Sequence, residues 1–119
     1  MIAVIFEVWP AQGRKDDYRA IAASLRAELD RIDGFISVER FQSLSDPAKL
    51  LSLSFWRDDA AVKNWRNHFK HRASQTKGRA GIFADYRLRV ATVMRDYSLI
   101  ERAEVPEDSR DIHDPQHSS

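Results

Sequence analysis

A single α+β domain, a four-stranded antiparallel sheet with two helices on one face, is what this sequence predicts. Three observations carry that expectation. Four segments rich in β-branched and aromatic residues alternate with two segments of helical apolar spacing, in the order β-α-β-β-α-β. The chain has 119 residues, one domain by size. With 43% hydrophobic and 31% charged residues it has enough apolar surface to build a core. The element order is that of the ferredoxin-like fold.

Residues 2–9 form the first predicted strand, which stops at Pro10. Its two faces, Ile2/Val4/Phe6/Val8 and Ala3/Ile5/Glu7/Trp9, are both mostly apolar, so both require cover. The first helix is expected over residues 15–32. Tyr18, Ile21, Ala22, Leu25, Leu29 and Ile32 make one stripe, Asp16 and Asp17 stand in the first turn, and Gly34 is placed to end it. Residues 35–42 and 50–56 form a hairpin through Ser45-Asp46-Pro47. Asp58 or Asp59 caps a second helix over about residues 60–77, with Val62, Trp65 and Phe69 as its stripe and Gly78 and Gly81 at its exit. The last strand is expected from Ile82 to about Tyr97, long enough to overshoot its own sheet and require another partner. Two units follow: a folded domain over residues 1–99 and an acidic, disordered tail over residues 100–119.

Composition excludes several functions. With no cysteine there are no disulfides, thiolate metal sites or cysteine nucleophiles. No apolar run is long enough to span a membrane, and the N-terminus has no basic segment of a secretory signal. A cytoplasmic location is the expectation. The net charge of +1 conceals a tail of −4 at residues 101–119 and a body of +5, with seven bases and two acids at residues 57–79. That basic stretch reads as a solvated helix face and not as a nucleic-acid site, since no recognition module accompanies it. There is no phosphate loop, no G-x-S-x-G and no HExxH.

Three features could carry chemistry. His68 and His71 share a helix face at a spacing of three, but with no evident carboxylate partner no metal site is assigned. Trp9, Trp56 and Trp65 are many indoles for this length, and packing alone accounts for them. Glu7 within an apolar strand calls for a partner such as Arg87 or Arg89. The uncovered second sheet face predicts a homodimer formed sheet to sheet.

The segments Ile2–Val8, Ile32–Phe41, Leu51–Asp58, Val62 through Trp65 to His71-Arg72, and Gly81–Tyr86 carry a family likeness. Over residues 1–97 the chain resembles the antibiotic biosynthesis monooxygenase domain, in particular its heme-degrading-like branch. The resemblance implies a dimeric α+β barrel with a ligand pocket between helices and sheet. It implies a monooxygenase acting on a planar aromatic or heme-like molecule, either cofactor-independent or with heme, since the sequence itself requires no cofactor. Trp65 matches the branch's tryptophan and His71 its histidine by order; these two are the catalytic candidates. The first strand has Phe6 and Glu7 where that branch has an asparagine, and no Asn occurs in residues 1–63. Phe6, Trp65, Phe69 and Tyr86 are the substrate-binding candidates. The alternative is a non-catalytic dimer that binds a small molecule or heme; a structural stress protein is a third reading. The expected partners are a second copy of the chain and a small aromatic ligand, with no nucleic acid and no membrane.

Overall fold

The structure is a computed structural model and describes residues 1–74 and 81–109, with side chains from residues 69–74 outside the description. Along the chain run β1 (Ile2–Pro10), α1 (Lys15–Leu29), β2 (Phe35–Gln42), β3 (Leu50–Trp56), α2 (Asp59–Ser74) and β4 (Phe83–Thr92). The sheet order is β2-β3-β1-β4 and every pairing is antiparallel, which is the ferredoxin-like arrangement. β1 is central in the sheet, paired with β3 on one edge and β4 on the other.

Short polar devices set the element ends. Asp58 Oδ1 accepts the Ala61 N–H at 2.9 Å and caps α2. α1 is shorter than its apolar stripe. Regular helix stops at Leu29, residues 30–32 form a turn, and Ile32 still packs on the core from that turn. Gly34 then takes φ +91°, and a Cβ there would stand 2.7 Å from Ala61 Cβ. The Gly34 carbonyl accepts the Arg57 N–H at 2.7 Å, and the Arg57 guanidinium grips Asp33 through two 3.1 Å bonds. Glycine is therefore required where the end of α1 passes the start of α2.

Two core clusters form beneath the helices. Val8, Tyr18, Leu50 and Ile82 make one, with Phe6 and Ile21 against it. Leu29, Trp56, Ala61 and Val62 make the other, against which Val4, Phe35 and Trp65 pack. On the opposite face Ile5, Leu51, Leu53 and Phe55 are half-buried, and Glu7 bridges Lys49 (3.2 Å) and Arg89 (3.1 Å). Those two cations, the Lys49 ammonium foremost, hold the Glu7 carboxyl below its usual range.

The last strand departs from its sequence expectation. It ends at Thr92 and not near Tyr97, because Thr92 lies opposite Ile2, the first residue of β1. Val93 adds one bond to the Met1 carbonyl at 3.0 Å, after which the sheet has no edge to pair with. Beyond it Ser98 Oγ accepts the Glu101 N–H at 2.9 Å, and Val105 is buried with 5% of its surface exposed.

Candidate functional site

Both helices lie on the face carrying the even residues of β1, but they do not cover all of it. Register places Val90 opposite Val4, Leu88 opposite Phe6 and Tyr86 opposite Val8, so these β4 residues share the helix-side face. Their exposures are 50%, 52% and 57%, whereas Val8 on the same face is fully buried. An apolar ledge on β4 and the adjoining edge of β1 is thus open beside the helices. Exposed apolar surface of this kind makes the ledge the candidate interaction site of the described residues.

An aromatic group closes one end of the ledge. The Phe6 ring lies 5.6 Å from Tyr86 and 6.0 Å from Phe83, and Phe83 also meets Tyr18 at 5.8 Å. By strict alternation Phe83 belongs on the opposite face with Asp85 and Arg87. A bulge brings it round: Trp9 pairs with Asp85 but Pro10 pairs with Phe83, so one step on β1 spans two on β4. The sequence contains the trigger, since Pro10 has no N–H to give the ladder, but not the outcome.

Trp65 rises from α2 into the second cluster. Its ring stacks on Trp56 at 6.4 Å and 30°, and His68 lies against it at 5.8 Å and 30°. The Trp56 indole N–H donates to Ser54 Oγ at 2.9 Å.

Of the residues expected in the site, Phe6 and Tyr86 are in direct ring contact. Trp65 packs against the neighbouring cluster, its ring on Trp56 and His68. Phe69 and His71 lie outside the described side chains. Leu88, Val90 and Phe83 complete the ledge. Trp9 takes no part, its indole N–H being bound to Asp46 at 3.1 Å at the far hairpin. Among the described residues no three His, Asp or Glu converge as a metal site.

The conserved-domain model of the antibiotic biosynthesis monooxygenase family matches residues 1–77, well over half of the chain. The chain belongs to the antibiotic biosynthesis monooxygenase family. Within it, the chain is 52% identical over 93 residues to a jasmonate monooxygenase ABM of Pyricularia oryzae, covering 78% of this chain and 43% of that one. It thus spans less than half the length of that relative. The fold is also that of solved structures. MhuD, a heme-degrader from Mycobacterium tuberculosis seen with two hemes in its active site, superposes with a TM-score of 0.64 at 16% identity, covering 82% of this chain and 100% of MhuD. SnoaB, a cofactor-independent oxygenase from Streptomyces nogalater, gives 0.65 at 11% identity, over 80% of this chain and 94% of SnoaB.

For heme, the described residues of this family member supply an apolar face but no imidazole nitrogen directed over it. His68 Nε2 is buried against Glu28 at 3.7 Å. No helix among the described residues is long and apolar enough to cross a membrane.

Proposed function

We propose that the protein is a monooxygenase that takes a planar aromatic or heme-like molecule on the open ledge formed by Phe6, Tyr86, Leu88 and Val90, in a homodimer. The observation that supports it is the uncovered apolar half of the helix-side sheet face, in a chain whose family includes oxygenases. Phe6 and Tyr86 offer ring faces and edges, and the aliphatic residues of β4 exclude water from the bound ring. Trp65, which packs on the same cluster as Val4, the partner of Val90 across the sheet, is the candidate aromatic contact on the helix side, and His71 further along α2 is the candidate proton acceptor or ligand.

An activated ring CH2 supplies the electrons itself: with O2 it gives a ring C=O and water. A heme-like substrate would bring its own iron and require an external reductant. Jasmonate belongs on the assay panel because of the 52% identical relative. The dimer would use the opposite sheet face, where Ile5, Leu53 and Phe55 stay half-exposed. Sedimentation equilibrium is expected to show a pair, not the 13.8 kDa chain alone.

Hemin, an anthrone-type aromatic and jasmonate should each be titrated, then supplied with O2 with and without reductant. Product carrying one oxygen atom from O2 supports the oxygenase. Saturable binding of all three with no turnover would support the alternative, a dimeric binding protein.

A further inference from the structure

Among the described side chains, Trp65 lies between two rings, and only one of them belongs to the core. On one side is Trp56, 1% exposed and anchored through its indole N–H to Ser54. On the other is the His68 imidazole, one helical turn along α2. His68 is on the surface, with 41% of its side chain exposed, and a histidine so placed would ordinarily sample several rotamers. Its Nε2 is nevertheless turned inward and shielded from solvent, 3.7 Å from an equally shielded Glu28 Oε2 on α1. Glu28 adjoins Leu29, whose side chain lies in the Trp56 cluster, so the carboxylate sits where α1 and α2 meet. At 3.7 Å the approach is longer than a hydrogen bond, and it limits the rotamers of the His68 ring through close packing at the helix junction.

We propose that Glu28 and His68 are a positioning pair: the Glu28 carboxylate of α1 holds the His68 ring, and that ring clamps Trp65 against Trp56 in the orientation it presents to the ligand ledge. Neither residue touches ligand. The orientation of Trp65 is thereby set by a second helix, so that a shift of α1 against α2 would be felt at the site. The ligand-binding consequence rests on the reading that Trp65 borders the site; the clamping does not.

The test therefore uses two readouts. Stacked Trp56 and Trp65 indoles give a far-ultraviolet exciton couplet that reports their mutual orientation without any ligand. Hemin is the binding probe, followed at its Soret band. In His68→Ala and Glu28→Ala the couplet should weaken and the hemin Kd rise about 3- to 10-fold. The double variant should do no worse than either single one, because both act through one clamp. His68→Gln keeps a planar polar side chain of similar reach between Glu28 and Trp65 and should restore much of both signals, which a general loss of packing would not permit. An unchanged couplet in His68→Ala and Glu28→Ala, with thermal melting confirming that both are folded, overturns the proposal. A couplet that weakens while the hemin Kd stays constant retains the clamp and refutes its role at the site. A Trp65→Ala variant that binds hemin like the parent would instead show that the ligand reading, not the clamp, is at fault.

Discussion

The helix-side face of the sheet has two halves built from the same kinds of residues, with opposite fates. Under the helices, Val8, Leu50 and Trp56 are buried. On β4, Tyr86, Leu88 and Val90 continue the same apolar pattern on the same face and stay half-exposed. The difference lies in coverage: the helices pack on clusters built over β3 and β1, and past Phe83, whose ring meets Tyr18 of α1, β4 runs outside those clusters at the sheet edge. Apolar patterning alone therefore marks what can be buried. The helix positions decide which part becomes core and which remains available to a ligand.

The covered half should be the sensitive one for stability. Trp56→Ala is expected to cost about 3–5 kcal/mol, since it removes the largest fully buried side chain among the described residues and opens a cavity between the helices and the sheet. Denaturant unfolding measures this, and a loss below ~1 kcal/mol would mean that the two halves are alike.

The helix junction gives a matched pair of glycines. Gly13 and Gly34 both have positive φ, but a Cβ at Gly13 meets nothing within 4 Å while one at Gly34 meets Ala61 at 2.7 Å. Gly13→Ala should cost about 1–2 kcal/mol for the left-handed backbone alone. Gly34→Ala should cost clearly more, because α2 must move. Equal melting temperatures for the two variants would show that the junction yields freely.

In the open half, Leu88→Ala should change stability by less than ~1 kcal/mol, in keeping with its half-exposed side chain. Its effect should fall on ligand binding instead.

The smallest effect is electrostatic. The Arg57 guanidinium lowers the pKa of Asp33, and the Ala61 N–H followed by Arg57 lowers that of Asp58. A carboxyl with a lowered folded pKa adds stability above the unfolded value, and that stability disappears as pH falls through the folded value. Asp33→Asn should therefore be less stable than the parent at neutral pH, with the gap closing below about pH 4. All these groups are exposed, so the gap is small. Melting curves across that range check the sign; a gap that widens in acid would be the wrong one.

The element order, the hairpin, an aspartate cap at Asp58 or Asp59 and the doubly apolar β1 were legible in the sequence because each rests on local pattern, and the fold places the cap on Asp58. Phe6 and Tyr86 were legible as site candidates and do meet. Phe83 was not, because the bulge that turns it depends on Pro10, a residue distant in sequence, disrupting the ladder. Nor was Glu28, which looks like any solvated helix acid until α2 is packed beside it. The end of β4 was misread for a related reason: its own residues favour a strand to Tyr97, but a strand lasts only as long as its neighbour, and β1 begins at Ile2.

The division into core and ledge is tested most directly by a charge placed on the ledge. Leu88→Glu should weaken hemin binding at least ~10-fold by putting a carboxylate against an apolar ring, while the side chain reaches water and the melting temperature stays within a few degrees of the parent. Hemin affinity equal to that of the parent in a folded Leu88→Glu protein would contradict the assignment of this half of the sheet as the ligand site.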